Sequence, residues 1–198
     1  MTIFTRYTVD MVRHVTEKDY DTIQEIRHPY ILDIDNLSDQ EYRWKMQKSG
    51  FVGEFTPVEF KEDLHHLFLV DEDKSGILGY LRIDSDREYK DNDKKVWFSE
   101  AFKQSYFEGN HAEIGMIGTR EDAKRIGVAT GLLDFAMIEL QKKKIPYLFS
   151  IVAISPLTNF PSMMIHEKWE FIRAAVSSPH HHFDMDNYQS ILYAKTIQ

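Results

Sequence analysis

The sequence predicts a single domain of the mixed α/β class, and three observations support this. The 198 residues suit one domain, and 42% of them are hydrophobic, which is enough to bury one full core. Apolar runs typical of strands alternate along the chain with segments whose apolar residues recur at helical spacing. The predicted order is β-α-α-β-β-β-α-β-α-β-β, so helices lie between strands.

The N-terminal half is predicted to contain a strand at 11–16, helices at 17–30 and 38–50, and a hairpin at 64–85. Pro29 closes the first helix. The second helix is expected to begin with Ser38 as N-cap and Glu41 as its capping-box partner, and to end at Gly50. Two β-rich runs around a turn at 71–76 predict the hairpin.

The C-terminal half is predicted to contain a strand at 111–119, a turn and long helix at 121–144, a strand at 145–155, a helix at 157–169, and strands at 171–178 and 190–197. The preceding segment, 86–110, is charged and loop-like in its first half and suits a short helix in its second. The long helix carries apolar residues on one face, at Ala129, Leu133, Ala136 and Leu140. The nearly all-apolar run at 145–155 is typical of a strand buried on both faces.

Composition argues against several classes of protein. The 24 Lys and Arg residues against 32 Asp and Glu give a net charge of −8, which argues against a general nucleic-acid binder. The absence of cysteine excludes disulfides, thiolate metal sites and a cysteine nucleophile, and it fits a reducing compartment. The first residues lack a signal-like apolar region, and no apolar run approaches membrane-spanning length. We therefore expect a cytoplasmic protein without membrane or nucleic-acid partners.

An anion site is predicted where the strand at 111–119 leads into the long helix. Gly127 stands at the first turn of that helix, although glycine destabilises helices by roughly 1 kcal/mol relative to alanine. Free N–H groups and the helix dipole favour an anion there, commonly a pyrophosphate. Lys124 and Arg125 add positive charge. The structural alternative, that Gly127 only permits close helix–strand packing, is about equally well supported by these residues alone.

Two better-known phosphate-binding motifs are excluded at this position. A P-loop requires Gly-Lys-Ser/Thr at its end, and the sequence lacks it. A dinucleotide fingerprint requires Gly-x-Gly-x-x-Gly, whereas only Gly127 and Gly131 occur here.

The chain resembles the GNAT family of acetyl-CoA-dependent N-acetyltransferases in two motifs. The first family motif, Arg/Gln-x-x-Gly-x-Gly/Ala, matches Lys124-Arg-Ile-Gly127-Val-Ala129, with Lys in place of Arg or Gln. The second, Asn-x-x-Ala-x-x-Leu-Tyr-Glu-Lys-x-Gly-Phe, matches the segment 159–171 in spacing throughout. In that segment Ser162 replaces the alanine, His166 the tyrosine and Glu170 the glycine. The motif-specific resemblance covers about 111–173, and element order extends it over nearly the whole chain.

The resemblance implies a single acyltransferase domain over 1–198. It implies a mostly antiparallel, seven-stranded mixed sheet with helices on both faces. Acetyl-CoA would be the co-substrate, and a primary amine on a small molecule or a peptide would be the acceptor. Dimers are common in the family, so the resemblance allows a homodimer.

The resemblance also implies a coenzyme A site. The pyrophosphate would bind the backbone of the first motif, formed by Lys124, Arg125, Ile126, Gly127, Val128, Ala129 and Thr130. The preceding strand would lend backbone groups of Ile117, Gly118 and Thr119 to the pantetheine arm, which would lie between the strands at 112–118 and 147–154. Asn159 would hydrogen-bond that arm, with Ser162 beside it; an ordinary helix N-cap is the alternative role for Asn159.

Two catalytic residues follow from the same resemblance. Glu113 lies eleven positions before Lys124, the separation at which histone-acetylating members place a general base. The alternative is that Glu113 is a strand carboxylate with a purely structural role. His166 replaces the tyrosine that protonates the coenzyme A thiolate in most members, and a histidine with a pKa near 6.5 could donate that proton. Its alternative is a helix-surface histidine without a catalytic part.

The remaining candidate residues border the expected acceptor region. His180, His181, His182, Asp184 and Asp186 are metal-ligand types, but they lack ordered ligand spacing, so no metal site is predicted. They are expected to form a loop at 179–189. In the family that loop and the first two helices, here carrying Tyr42 and Trp44, often shape acceptor specificity. Two alternative functions are also consistent with the sequence. One is a sensor or catalytically silent relative that binds acyl-CoA. The other is an acetyltransferase that acts on a protein rather than on a small molecule.

Overall fold

The computed structural model of the protein describes residues 12–85, 95–182 and 185–197. Met11, the loop predicted at 86–94 and Asp184 lie outside the described residues. Within the described residues the chain forms six α-helices and nine strands, separated by short 3-10 turns. The helices are α1 (Tyr20–Arg27), α2 (Gln40–Ser49), α3 (Pro57–Asp63), α4 (Glu100–Glu108), α5 (Val128–Lys142) and α6 (Phe160–Lys168). The strands are β1 (Val12–His14), β2 (Leu67–Asp73), β3 (Gly76–Asp84), β4 (Lys95–Trp97), β5 (Ala112–Thr119), β6 (Tyr147–Ser155), β7 (Ile172–Ser177), β8 (His180–His182) and β9 (Met185–Thr196).

The architecture is mixed α/β, as predicted, and the six strand pairs whose register is described are all antiparallel. The chain divides into two compact units, which are described separately below. Unit 1 contains the described residues of Met1–Pro29, Phe55–Ser85 and Ile114–Lys144. Unit 2 contains those of Tyr30–Glu54, Asp86–Glu113 and Ile145–Gln198. A single domain over 1–198 stays a prediction.

Unit 1 is built on strands in the order β1-β2-β3-β5, with α1, α3 and α5. Its apolar core contains three aromatic rings that meet edge to face, Phe60, Phe68 and Tyr80. Helix α5 buries one face, and Leu133, Ala136 and Leu140 on that face confirm the predicted apolar stripe.

Unit 2 is built on strands in the order β6-β9-β7-β4, with β8 paired to β9 beside this path. Its core is formed by Phe102 and Tyr106 of α4 with Phe149 of β6 and a row of small residues on β7 and β9. Helices α2 and α6 contact each other in this unit. The short helix predicted in the second half of 86–110 is confirmed as α4.

The predicted start of α2 is wrong. Asp39, and not Ser38, is the N-cap residue, because the Asp39 side chain accepts hydrogen bonds from the N–H groups of Glu41 and Tyr42. Ser38 belongs to a preceding 3-10 turn, so its hydroxyl cannot cap the helix. The predicted stop is confirmed, because Gly50 ends α2 with a φ of +84°.

The predicted count of seven strands is too low, and the loop at 179–189 is wrong. Its histidines form β8, which pairs antiparallel with an extended β9 that begins at Met185. Strand β4 was also not predicted, since its three residues give almost no periodicity.

Helix α3 was not predicted either, although the sequence contains a signal for it. Thr56 and Glu59 form a capping box around Pro57 at its start. None of the described helices is long and apolar enough to cross a membrane.

Candidate active site

The junction between β5 and α5 in unit 1, where an anion site was predicted, has an irregular backbone. Arg125 has a φ of +66° and Gly127 a φ of +99°, so two left-handed residues precede the helix. A non-glycine residue rarely adopts this conformation, which raises the energy by about 1 kcal/mol or more. The extended Lys124 and the left-handed Arg125 and Gly127 make an irregular turn directly before the helix.

The first turn of α5 adds to this site. Gly127 is the N-cap, and it has no side chain with which to cap the helix. The first N–H groups of any helix lack intrahelical partners, and they lie at the positive end of its dipole. Val128, Ala129 and Thr130, three of the residues predicted to bind a pyrophosphate, are the first three residues of α5.

Two acidic residues in the same loop are each held by a cation. The Lys124 ammonium lies 2.6 Å from the Glu121 carboxylate, and the Arg120 guanidinium lies 2.6 Å from that of Asp122. The Arg120 contact holds the pKa of Asp122 below its ordinary value. These pairs offset negative charge that would otherwise repel an anion, and the exposed Arg125 side chain adds positive charge.

The three β5 residues predicted to contact pantetheine, Ile117, Gly118 and Thr119, are half-buried in unit 1. Gly118 has a packing reason of its own, because a Cβ atom there would lie 2.5 Å from the Tyr80 ring. The buried Tyr80 ring thus lies directly over the Gly118 backbone. The glycine is required for packing whether or not a ligand also approaches it.

Asn159 and Ser162 come together at the start of α6 in unit 2. Asn159 is the N-cap residue, and its Oδ1 accepts a hydrogen bond from the Ser162 N–H at 3.2 Å. Its Nδ2 donates to the carbonyl oxygen of Phe51 at 3.3 Å. The N-cap alternative is therefore confirmed, and the same amide joins α6 to the segment after α2. One lone pair of Oδ1 remains for a further donor.

His166 lies inside unit 2, with only 1% of its surface exposed. Its ring stacks on Tyr193, with centroids 5.2 Å apart, and meets Phe171 and Trp169 at their edges. Nδ1 donates to the Ser162 carbonyl oxygen at 2.6 Å, and among the described residues Nε2 has no hydrogen-bond partner. Burial lowers the pKa of His166, although the bond to Ser162 opposes the shift. The ring is thus neutral at pH 7, and it does not lie on the helix surface.

Glu113 lies in the buried first half of β5 and is only 2% exposed. A carboxylate in that position requires polar compensation. Two residues earlier, His111 stacks on Tyr106 with ring centroids 5.2 Å apart, and its Nδ1 donates to the Ser105 carbonyl oxygen at 3.1 Å. Burial lowers the pKa of His111, against the effect of that hydrogen bond.

A cavity of about 770 Å³ lies along α2 in unit 2, where the resemblance placed acceptor-shaping residues. It is lined by Ser38, Gln40, Glu41, Arg43, Trp44 and Gln47. Arg43 donates to the carbonyl oxygen of Pro156, which fixes one wall. Trp44 is 56% exposed, and the Lys48 ammonium lies 4.2 Å from its ring centroid, so a cation already sits against this ring.

The histidines of β8 alternate between its two faces. His180 and His182 lie against Tyr188, whereas His181 is paired with Asp186 at 3.0 Å. Burial raises the pKa of Tyr188 to about 12. Within the described part of the chain, no three His, Asp or Glu residues are grouped as metal ligands.

Each unit therefore brings together part of the predicted set. Unit 1 gathers the β5 residues at 117–119 with the loop at 124–130, and unit 2 gathers Asn159, Ser162 and His166 and also holds Glu113. Sequence reasoning missed Arg120, which contacts the turn between β2 and β3. The only signal was a cation at the end of a strand, which is too common to indicate a role.

The sequence model of the acetyltransferase (GNAT) family matches residues 21–171. No curated protein sequence matches the chain. Solved structures that resemble it include an N-acetyltransferase from Staphylococcus aureus Mu50, at 19% identity and a TM-score of 0.59, covering 95% of this chain and 98% of that one. The ribosomal-protein-S18-alanine N-acetyltransferase from Escherichia coli is 14% identical, with a TM-score of 0.60 and coverage of 94% and 93%. Chaetomium thermophilum Naa20 in complex with a bisubstrate analogue is 13% identical, with a TM-score of 0.61 and coverage of 94% and 86%.

Proposed function

The chain belongs to the GNAT acetyltransferase family, and from this premise we propose that it transfers an acetyl group from acetyl-CoA to a primary amine. The observation that carries the proposal is the pair of left-handed residues, Arg125 and Gly127, that opens α5. Attack on the thioester is direct, because the chain has no cysteine to carry an acyl-enzyme intermediate.

The loop at 124–130 fits the pyrophosphate of coenzyme A. Its N–H groups and the α5 dipole act on the anion, while the side chains of Lys124 and Arg125 add charge. The Ile117, Gly118 and Thr119 backbone supplies hydrogen bonds to the pantetheine arm. In unit 2, the lone pair of Asn159 Oδ1 that Ser162 leaves unused can accept a hydrogen bond from an amide of pantetheine.

The ammonium nitrogen loses two protons during the transfer, and the departing sulfur gains one. Glu113 takes the first proton, the amine nitrogen bonds to the thioester carbonyl carbon, and the carbon–sulfur bond breaks. The nitrogen then loses its second proton as the amide forms, and that proton converts the released thiolate to the free thiol of coenzyme A. The acid role of His166 stays a prediction. Because Nδ1 holds the proton of the neutral ring, Nε2 would have to gain a proton and become accessible before it could supply one to the sulfur.

The cavity along α2 is our candidate acceptor surface. It carries one carboxylate, Glu41, and the exposed ring of Trp44, and both attract a cationic amine. Lys48 already occupies the ring face, so an acceptor ammonium would take its place. The polar side chains in the lining, among them Gln40, Arg43 and Gln47, support an acceptor with several polar groups, such as the N-terminal residues of a peptide.

The test is a calorimetric titration of acetyl-CoA, followed by thiol release in the presence of polyamines, aminoglycosides and short peptides with free N-termini. We expect micromolar binding that Gly127→Glu abolishes, and thiol release with one acceptor class. Binding without release for any amine would favour the acyl-CoA sensor. Absence of binding would mean that Gly127 serves only helix packing and would refute the proposal.

A further inference from the structure

Arg120 connects the start of the candidate pyrophosphate loop to the turn between β2 and β3 in unit 1. It follows Thr119 at the end of β5 and precedes the 3-10 turn Glu121–Ala123. Its side chain turns back toward residues 45 positions earlier in the chain. The residue before the loop is therefore joined to a turn that is distant in the chain and belongs to the neighbouring hairpin of the sheet.

The guanidinium of Arg120 donates to four acceptors. Nη1 donates to the carbonyl oxygens of Ser75 and Ile77 at 3.3 and 3.2 Å, and Nη2 donates to Ser75 Oγ at 2.8 Å. Nε donates to Asp122 Oδ1 at 2.6 Å. The Arg120 backbone N–H donates to the Leu78 carbonyl oxygen at 2.8 Å, so main chain and side chain bind the same hairpin.

The turn that receives these bonds is itself fixed. Asp73 Oδ1 accepts from the N–H of Ser75 at 2.7 Å and from its hydroxyl at 2.6 Å. Gly76, with a φ of +101°, completes the turn. Ser75 Oγ thus donates to Asp73 and accepts from Arg120, and its orientation is set from both sides.

A lysine could not reproduce this arrangement. The guanidinium is planar and carries five N–H donors in a fixed fork, whereas an ammonium is a single flexible charge. Arg120 uses all three of its nitrogens on acceptors in two directions. Its shape, and not only its charge, is therefore what the contacts require.

We propose that Arg120 is a positioning residue that holds the loop at 121–127 in the conformation that binds coenzyme A. The inference rests on the proposed function. The loop contains two left-handed residues, and Glu121, Asp122, Arg125 and Ile126 are exposed, so the contacts of Arg120 add order to a segment at the surface. Ordering a loop before the ligand arrives removes part of the entropy lost on binding.

The decisive variant is Arg120→Lys, because it keeps the charge and removes the fork. We expect the lysine variant to bind acetyl-CoA about tenfold more weakly than the wild type by calorimetry. The acetyl-CoA affinity of Arg120→Gln should be no lower than that of the lysine variant. Ser75→Ala should weaken binding about threefold, and less than additively when combined with Arg120→Lys. Arg173→Lys, at an exposed arginine of unit 2 paired with Glu167, is the matched control and should leave binding unchanged.

Hydrogen exchange of the protein without ligand separates this inference from the proposed function. In Arg120→Lys the amides at 121–128 should exchange about tenfold faster, with the core strands unaffected.

If the lysine variant binds acetyl-CoA like the wild type while the glutamine variant does not, Arg120 acts by charge and the positioning role is refuted. Unchanged binding and exchange in all variants would refute it as well. If the wild type fails to bind acetyl-CoA, the proposed function is wrong and the positioning role falls with it, whatever the exchange shows.

Discussion

The imidazole of His166 donates through Nδ1 to the carbonyl oxygen of Ser162, one helical turn earlier in α6, at 2.6 Å. A carbonyl oxygen only accepts, so Nδ1 carries the proton and Nε2 carries the lone pair. In this tautomer the buried Nε2 carries no proton. The hydrogen bond therefore sets what His166 can do in the reaction.

We expect His166→Phe to reduce the turnover of thiol release by no more than about threefold. Phenylalanine fills the same aromatic cluster, and loss of one hydrogen bond is partly offset because no unpartnered Nε2 remains. Steady-state kinetics with the best acceptor measure this. A loss of about a hundredfold in kcat at unchanged acetyl-CoA affinity would instead establish His166 as the acid.

Folding stability should decrease as the pH falls below about 6.5. Burial lowers the pKa of His111 and His166 in the folded protein, so the unfolded chain binds more protons between the folded pKa and about 6.5. The stability is fully present above that window and is lost through it, with a slope of at most about 1.4 kcal/mol per pH unit for each histidine.

Urea unfolding at several pH values between 8 and 5 measures this slope. His166→Phe should make it shallower, because the variant lacks an imidazole whose pKa burial lowers. A slope that His166→Phe leaves intact would show that this imidazole binds protons equally in the folded and unfolded chain.

Gly127→Ala should weaken acetyl-CoA binding at least tenfold. The Gly127 φ of +99° is unfavourable for alanine, and the N-cap backbone would have to move away from the anion. Gly109→Ala is the matched control, because Gly109 is also left-handed, with a φ of +73°, and ends α4 in unit 2. Calorimetry should show lost affinity only for the first variant; equal affinity in both would remove Gly127 from the site.

Glu113→Gln should lower the rate of thiol release about a hundredfold, since it keeps the shape of the side chain and removes the base. The acetyl-CoA affinity should stay within about twofold, because the proposed role concerns the amine. Rates are compared over pH 6 to 9 under saturating acetyl-CoA. A wild-type rate in the variant would assign Glu113 to a structural role.

Gly118→Ala should reduce the free energy of unfolding by about 1–3 kcal/mol, because the new methyl group would overlap the Tyr80 ring. Gly53→Ala is the control, since a Cβ atom there meets nothing within 4 Å. Its stability should stay within about 0.5 kcal/mol of the wild type. Similar urea midpoints for both variants would show that Tyr80 moves aside without penalty.

The order of the larger elements followed from the sequence, because their signals are local. The apolar run of β6 and the stop at Gly50 can each be read within a few residues, and both are confirmed. Short elements gave no such signal. Strands β4 and β8 have three residues each, and pairing with β7 and β9 decides them.

The residues of the candidate site likewise differ in whether the local sequence predicts their position. Neighbouring residues were enough to predict that Gly127 opens a helix after a strand and that Asn159 begins another. The burial of His166 inside unit 2 and the contact of Arg120 with the turn at Ser75 depend on tertiary packing. Those outcomes depend on partners far away in the chain, and neither helical periodicity nor residue type encodes which distant atoms a side chain will reach.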